Sequence, residues 1–316
     1  MSDSTESKGY YFQRLSKKNL NDLDILYHSV HNKPQIEDYF AKKYDTAYTG
    51  VEYTGFIAYN DDHLPIAFYG VIPCFIRYDD RLFLAAQSAD TMTHPKYRYK
   101  GLFVQMANLT YGVCEEDGIS IIFGFPNQNS LHGFLSKLKW QMTETMHCFI
   151  IPVGIIPLGG IAKRLPFLAN PVKKYQQQVL KEYLVPQNGI ENSVFKDGFA
   201  GVNRNAHYLN YKTYHETHVI RIGESLLWIK INNDLIIGDI KCTEEDFDKT
   251  MHKLHKLAAK LGLKNIHFHT SHQTTLAGLF AQRYNAVPSL HVLFKDTGVN
   301  IQLDRIKFTF ADVDTF

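Results

Sequence analysis

The chain has 316 residues, of which 45% are hydrophobic and 13% aromatic, enough for a packed core and about two domains of ordinary size. Its 34 basic and 32 acidic side chains give a formal net charge of +2. A charge so close to neutral provides no strong field for nucleic acid or an anionic membrane, so we expect neither as a partner.

The first 150 residues predict strands and helices in alternation. Asp79–Asp80 lies between two long β-like runs and predicts a tight hairpin turn. After Gly101 the apolar residues recur at three- and four-residue spacing, which predicts a helix. The predicted elements are strands at 10–15, 55–59, 65–78, 81–93, 119–125 and 142–151, and helices at 19–31, 34–44, 101–118 and 129–139.

The last 120 residues predict a similar order. They follow a connector at 153–200, which holds one amphipathic helix at 171–184. The predicted elements are strands at 218–222, 226–231, 234–240, 265–270 and 290–294, and helices at 243–262 and 273–284. Thr243, with Asp246 three residues later, predicts the N-terminal cap of the first of these helices. When Gly118 is aligned with Gly262, the elements that follow match without gaps, which predicts an internal repeat. Chance recurrence of a common β-α-β order is the alternative.

The cysteines and the apolar runs indicate a cytoplasmic protein. The cysteines occur singly, as Cys74, Cys114, Cys148 and Cys242, which is typical of reduced, buried thiols. Residues 1–9 are polar and lack the order of a signal peptide, so we expect a frayed tail. The most apolar run, at 149–162, is broken by prolines and glycines and is shorter than the roughly 20 residues of a membrane span.

The most informative stretch is Ala86–Gly101, AQSADTMTHPKYRYKG, followed by LFVQMANLTYGV. It predicts a strand that passes through a short basic loop into the N-terminus of a helix. Such a terminus presents free backbone amides and the positive end of the helix dipole, which favour phosphate. Arg98 and Lys100 add charge, and Gly101 permits close approach of a ligand. A solvated basic turn is the alternative interpretation.

The segment HPKYRYKGLF resembles the pyrophosphate loop of the GNAT acetyltransferase superfamily, written (Q/R)xxGx(G/A). Arg98 stands at the first position and Gly101 at the first glycine, whereas Phe103 occupies a final position that is normally small. GFPNQNSLHGFLSKLKW, at 124–140, is similar to the strand-5 and helix-4 region of a tandem-GNAT subgroup. NRNAHYLNYKTYHETHVI, at 203–220, resembles the link into a second GNAT-like domain.

The resemblance implies an α+β (mixed α/β) fold with two GNAT-like domains. Each would have a mostly antiparallel sheet flanked by helices, and the second domain would be degenerate. We expect a first domain at 10–152 and a second at 201–316. The implied activity is an N-acyltransferase that moves acetyl, or another acyl group, from acyl-CoA to a primary amine of a small molecule or amino sugar. The amine would attack directly in a ternary complex, and we expect no metal.

The resemblance also implies positions for the acyl-CoA. Strand 4, at 85–93, and strand 5, at 120–125, would splay apart so that backbone amides of strand 4 face the pantetheine arm. Asn127 and Asn129 would bind the pantetheine or ribose, with turn formation as the alternative. The full set of expected cofactor-binding residues is Met92, Thr93, Arg98, Tyr99, Lys100, Gly101, Leu102, Phe103, Asn127 and Asn129.

Candidate catalytic groups follow from the same resemblance. Asp90 is the candidate base, with a structural carboxylate as the alternative. Many family members use a helix-4 tyrosine as the acid, but this chain has Leu135 near that position, so Ser130 and His132 are the substitutes. In some relatives, such as N-myristoyltransferases, the terminal carboxylate acts as base. We therefore also expect the carboxylate of Phe316 in or near the cleft.

The second domain lacks the basic loop. The corresponding segment, Lys241–Glu245, is acidic and has no glycine, so we expect one CoA site per chain. Two other functions stay open: a non-catalytic acyl-CoA-binding scaffold, and an aminoacyl-tRNA-dependent transferase of the peptidoglycan type. Five histidines of the C-terminal part allow two interpretations, a zinc site or a packed, partly exposed cluster: His252, His255, His267, His269 and His272. The cluster is favoured because no cysteine or carboxylate stands at a matching spacing.

Overall fold

The computed structural model describes residues 9–154 and 166–316, and the chain forms two compact units. The first unit comprises Met1–Thr143 and His291–Leu303, and the second comprises Glu144–Leu290 and Asp304–Phe316. Nearly all of the expected N-terminal tail, and residues 155–165 of the expected connector, lie outside the described residues. Among the helices described, none is long and apolar enough to cross a bilayer.

The first unit is a mostly antiparallel sheet with helices packed on it. Its strands run in the order β1-β2-β3-β4-β5-β13, with β4 and β5 parallel and the other described pairs antiparallel. Numbered in chain order, the strands are β1 (Tyr10–Arg14), β2 (Gly55–Asn60), β3 (Pro65–Tyr78), β4 (Arg81–Thr93), β5 (Ile121–Gly124) and the end of β13 (Ala286–Lys295). The helices are α1 (Leu20–His31), α2 (Tyr39–Tyr44), α3 (Leu102–Glu116) and α4 (Gln128–His132).

The predicted hairpin and the predicted long helix are both present. Tyr78 pairs with Arg81 across the turn, and Asp79 takes the left-handed conformation with φ +50° that tight hairpin turns require. Helix α3 buries the periodic apolar residues of the sequence, among them Met106 and Cys114, in the core of the first unit. This helix connects β4 to β5, and a parallel pair needs such a crossover.

Two predicted helices differ from the structure. The helix expected at 34–44 begins only at Tyr39, because Asp38 has φ +57° and interrupts the helical path. The helix expected at 129–139 is α-helical only to His132. Residues Gly133–Lys137 then form a wider π turn, in which the Leu138 amide donates to the Gly133 carbonyl at 3.1 Å.

The second unit has the same order of strand types. Its strands run β7-β9-β10-β11-β12-β6, with β11 and β12 parallel and the other described pairs antiparallel. The strands are β6 (Gln141–Pro152), β7 (Leu184–Val185), β8 (Gly201–Val202), β9 (His218–Ile222), β10 (Ser225–Ile231), β11 (Leu235–Lys241) and β12 (Asn265–Thr270). The helices are α5 (Ala169–Lys181), α6 (Ala206–Tyr211), α7 (Glu244–Lys260) and α8 (Thr275–Ala281).

Neither unit is contiguous in sequence. Residues 293–295 of β13, from the far end of the sequence, pair with β5 in the first unit. Strand β6, most of which belongs to the second unit, pairs with β12. The predicted domain ranges are contiguous, so they do not include the segment His291–Leu303 of the first unit. The mixed α/β, mostly antiparallel fold class is confirmed.

A fully buried ion-pair cluster fixes the C-terminal segment within the second unit. The Arg204 guanidinium donates to Asp239 at 2.6 Å and contacts Asp312 at 2.8 Å, and all three side chains are completely buried. It also donates to the Thr309 hydroxyl at 2.7 Å. Paired charges with further hydrogen bonds are tolerated in a protein interior, whereas a charge that loses its partner is not.

Replacing this arginine tests the cluster. We expect Arg204→Met to lower the free energy of unfolding by about 3–5 kcal/mol, because two buried carboxylates lose their partner. The matched control is Arg221→Met, since Arg221 is exposed on β9; it should change stability by less than about 0.5 kcal/mol. Urea unfolding of both variants measures this. A similar small loss in both would contradict the role given to Arg204.

Candidate functional site

The parallel strands β4 and β5 separate before β4 ends. Their pairing runs from Ala85–Ile121 to Ser88–Gly124, yet β4 continues five residues further, to Thr93. Strand β5 stops at Gly124 and is followed by Phe125 and Pro126. Among residues 9–154 and 166–316, residues 89–93 of β4 therefore have no strand partner on the β5 side, and we call this unpaired side the gap. It lies in the strands where the sequence resemblance implied a splay.

A β-bulge marks this part of β4. Gly70 pairs with Ala89 and Phe68 with Met92, so Asp90 and Thr91 together oppose one residue of β3. Asp90 has φ +48°, a strained conformation for a residue with a side chain. A bulge re-aims the side chains and amides of its strand, and it does so here at the mouth of the gap.

A buried lysine holds the bulge. Lys43 Nζ lies 2.7 Å from the Asp90 carboxylate, and the Tyr44 hydroxyl donates to the same oxygen at 3.0 Å. The Lys43 side chain is completely buried, and it also donates to the Tyr39 hydroxyl at 3.0 Å. The ammonium stabilises the ionised carboxylate. Asp90 therefore has a structural role, because it connects the bulge of β4 to helix α2. Sequence reasoning missed Lys43, although its four-residue spacing from Tyr39 on a helix indicates that the two side chains meet.

The ladder between β3 and β4 assigns directions to the amides near the gap. The His94 amide donates to the Ile66 carbonyl at 2.8 Å, so this pair is of the hydrogen-bonded type. Such pairs alternate with non-bonded ones along an antiparallel ladder. The Thr93 amide is therefore directed away from β3, towards the gap, whereas the Met92 amide is directed to Phe68. Of the two amides expected at the pantetheine, geometry favours Thr93.

The basic loop lies directly before helix α3. Pro95–Tyr97 forms a short 3-10 turn, Tyr99 has φ +66°, and Gly101 caps the helix with φ +77°. Arg98, Tyr99 and Lys100 are all exposed. A Cβ on Gly101 would meet only the Gln105 side chain, at 3.6 Å, so the glycine is needed for its backbone conformation and the space beside it is open. The positive end of the dipole of the 15-residue helix α3 is therefore at this loop.

The sequence of residues 21–142 matches the family model described as an acetyltransferase (GNAT) domain. Residues 21–142 form a GNAT domain. No curated protein matches the chain in sequence.

Solved structures share the fold over most of the chain. A GCN5-related N-acetyltransferase from Kribbella flavida is 10% identical, with a TM-score of 0.56, over 90% of this chain and 70% of that one. Another, from Anabaena variabilis, is 11% identical, with a TM-score of 0.55, over 92% and 73%. A protein of Pyrococcus horikoshii assigned to the acetyltransferases is 13% identical, with a TM-score of 0.57, over 99% and 97%. At these identities the likeness is one of fold.

Phe103 departs from the small residue of the GNAT loop, and the structure shows how the GNAT domain accommodates it. Its ring packs edge-on against Tyr69 and Phe134, with centroids at 5.9 and 5.2 Å. A Cβ on Gly133 would lie 2.9 Å from this ring, so the glycine of the π turn makes room for it. Leu102 is also buried in the core, which leaves the backbone of the helix start facing the loop.

Helix α4 of the GNAT domain carries four of the predicted site residues. The Asn127 side chain is its N-cap and accepts from the amides of Asn129 and Ser130 at 2.9 and 3.1 Å. The Ser130 hydroxyl donates to the Asn127 carbonyl at 3.3 Å. Turn formation, the alternative for Asn127, is thus present. His132 is exposed at the end of this helix, and Leu135, which takes the place of the usual tyrosine, packs on the core.

A buried chain of hydroxyl groups lies where β4 and β5 separate. The Ser88 hydroxyl donates to Tyr69 at 3.0 Å, the Tyr69 and Tyr111 hydroxyls are 3.0 Å apart, and Trp140 Nε1 donates to Tyr111 at 2.9 Å. Burial raises the pKa of Tyr69 well above its ordinary value and raises that of Tyr111 as well, so both phenols stay protonated. Sequence reasoning missed this chain, because its members come from two strands, a helix and a loop.

Phe316 belongs to the second unit. Its ring stacks edge-on against Trp228 at 5.2 Å, and a Cβ on Gly238 would overlap it. Asp90 belongs to the first unit, so the contacts within the units do not bring these two candidates together. The role of the Phe316 carboxylate as a base stays a prediction.

The second unit presents the opposite charge at the corresponding helix. Helix α7 follows β11 as α3 follows β4, and Thr243 caps it by accepting from the Asp246 amide at 3.2 Å. Glu244, Glu245 and Asp246 fill its first turn. Carboxylates in this position stabilise a helix but repel phosphate. The predicted cap is confirmed.

The hydroxyl chain can be tested by Tyr111→Phe. We expect a loss of about 1–3 kcal/mol in the free energy of unfolding, because the buried Trp140 N–H and the Tyr69 hydroxyl each lose a partner. The matched control is Tyr99→Phe, whose ring is fully exposed; its stability should change by less than about 0.5 kcal/mol. Equal stability of the two variants in urea unfolding would show that the chain contributes nothing.

Proposed function

We propose that the protein transfers an acetyl or other acyl group from acyl-CoA to the primary amine of a small molecule or amino sugar. One observation carries this proposal: β4 runs beyond its last pairing with β5, and a basic loop at the start of a 15-residue helix follows it. A gap with an unpaired strand edge suits the amide groups of a pantetheine arm. The adjoining helix start suits the pyrophosphate.

The loop would hold the phosphates by three means. The amides at the start of α3 donate hydrogen bonds, the helix dipole favours the negative charge, and Arg98 and Lys100 add charge-assisted contacts. The open space beside Gly101 lets a ligand approach the backbone. Tyr99, fully exposed beside them, offers an aromatic face to the same ligand.

The reaction would proceed in a single complex of both substrates. The amine nitrogen attacks the thioester carbon, the oxygen takes the developing negative charge, and the CoA thiolate leaves. The Thr93 amide, directed to the gap, is the proposed donor to that oxygen. Most of the rate gain in such a reaction comes from holding the two reactants in attack geometry. The chain's contribution is thus mainly positioning.

Asp90 remains our proposed proton acceptor, acting directly or through a water molecule. Its side chain is 17% exposed at the bulge, so a second group can reach the carboxylate that Lys43 anchors. For the acid, His132 is the better placed of the two substitutes, because it is exposed while the Ser130 hydroxyl is engaged in capping. The anchored state of Asp90 and the missing tyrosine favour the rival function, a non-catalytic acyl-CoA-binding protein.

Binding of acetyl-CoA is the first test. Titration calorimetry should give one site per chain, and Arg98→Ala should weaken the affinity at least tenfold, because a charge-assisted hydrogen bond contributes about 1.5–3 kcal/mol. The matched control is Arg81→Ala, since Arg81 is exposed at the far end of β4 and should not affect binding. Failure to bind acetyl-CoA, longer acyl-CoAs and free CoA would exclude the transferase.

Turnover separates an enzyme from a scaffold. In a screen of primary amines, read by release of the CoA thiol, we expect Asp90→Asn to lower kcat at least about 100-fold. The affinity for acetyl-CoA should change by less than about threefold, since the asparagine oxygen can still accept from Lys43 and Tyr44 and so keep the bulge. If kcat is unchanged, the carboxylate serves only the bulge. If the natural protein binds acetyl-CoA but turns over no amine, the scaffold is the correct function.

A further inference from the structure

Three metal-binding side chains meet on one face of the second unit's sheet. His267 and His269 lie two residues apart on β12 and therefore point to the same face. Cys148, on β6, pairs directly with His269 in the antiparallel register. One donor atom from each of the three side chains lies within 4.8 Å of the other two. The opposite face of these strands carries the apolar core, so the cluster is separate from it.

The distances suit tetrahedral coordination. Cys148 Sγ lies 3.4 Å from His269 Nε2. Zinc bonds of about 2.3 Å to sulfur and about 2.0 Å to nitrogen, at a tetrahedral angle, place these two atoms roughly 3.5 Å apart. The pair thus has the required spacing. To bring the His267 donor to the same spacing, its half-buried ring must shift by about 1.3 Å or less.

Each histidine also has a polar partner of the kind that supports metal ligands. Nδ1 of His269 lies 3.1 Å from the Ser289 hydroxyl, which leaves its Nε2 facing the cysteine. Nε2 of His267 lies 3.4 Å from an Asp234 carboxylate oxygen. Hydrogen bonding to the second ring nitrogen fixes the tautomer and orientation of a metal-bound histidine. For His267 the contact with Asp234 is an ion-pair distance without hydrogen-bond geometry, so the buried Nε2 has no hydrogen-bond partner within residues 9–154 and 166–316.

We propose that Cys148, His267 and His269 form a binding site for one transition metal ion of the Zn²⁺ class. A thiolate with two imidazoles is a soft to borderline donor set, which selects Zn²⁺ or a similar ion over Mg²⁺ and Ca²⁺. Asp234 acts as a positioning residue for His267, and a water molecule fills the fourth position. The expectation of no metal, drawn from sequence spacing, is replaced by this proposal, because the fold supplies the missing cysteine from a distant strand.

The ion would link β6 to β12 at the Cys148–His269 pair, near the end of the ladder between the two strands. A ligand that binds only the folded state stabilises it, so the metal should raise Tm with its concentration. The site is independent of the proposed acyl-CoA site, which lies in the first unit. Binding of acetyl-CoA is therefore a control and should be the same with and without metal.

The test uses the full chain, free of affinity tags and stripped of metal with a chelator. Titration with Co²⁺ should give one ion per chain, the visible bands of tetrahedral cobalt and a thiolate-to-cobalt charge-transfer band in the near ultraviolet. Added Zn²⁺ should remove both. Cys148→Ser should lose the charge-transfer band, whereas Cys242→Ser, a thiol outside the cluster, should keep it.

A pair of histidine substitutions provides a second test, which does not depend on the folding of the cysteine variant. His267→Gln should weaken Co²⁺ binding at least tenfold, since a ligand is lost, while His252→Gln, on the exposed face of α7, should not. Circular dichroism and acetyl-CoA binding establish that each variant is folded. The proposal is overturned if the natural protein binds less than one Co²⁺ per chain, or if folded Cys148→Ser and His267→Gln bind it unchanged.

Discussion

The first unit depends on a mismatch in length between two parallel strands. Strand β4 continues for five residues beyond its last pairing with β5, and the geometry of the candidate site depends on the contacts that hold these five residues. At the last pair, Ser88–Gly124, the hydroxyl chain from Ser88 to Trp140 connects the strands to α3. Beyond this pair, the ion pair between Lys43 and Asp90 stabilises the strained conformation of the bulge. Side-chain contacts thus hold β4 on both sides of the point where the two strands separate.

The two units carry opposite charges at the corresponding helix N-terminus. Both join parallel strands through a long helix, but α3 begins with an exposed glycine after basic residues, and α7 begins with threonine and three carboxylates. The second start satisfies its own amides and neutralises its own dipole. The start of α3, within the described residues, has no such side-chain cap. The two units therefore differ in charge at a corresponding helix start, on a similar order of strands.

Local features of the fold could be predicted from the sequence, and features that join distant segments could not. Periodicity predicted α3, and the types of residue at the turn and at the helix start predicted the hairpin at Asp79 and the cap at Thr243. Each of these features depends on neighbours in the chain. The Lys43–Asp90 pair joins a helix to a strand across 47 residues of sequence, and the meeting of Cys148 with His269 depends on strand register across 121 residues. Gly133, in the π turn after His132, lies against the ring of Phe103 on another helix, with no room for a Cβ. Packing of this kind leaves no periodic signal.

The order of strands in the first unit affects how the protein is made. During synthesis, β5 is made long before its neighbour β13, because Leu293 follows Gly124 by 169 residues. At translation rates of about 5–20 residues per second, the β13 side of β5 stays unpaired for roughly 8–34 s. An open strand edge exposed for that time can pair with other chains. The first unit is therefore completed only after most of the second unit has been synthesised.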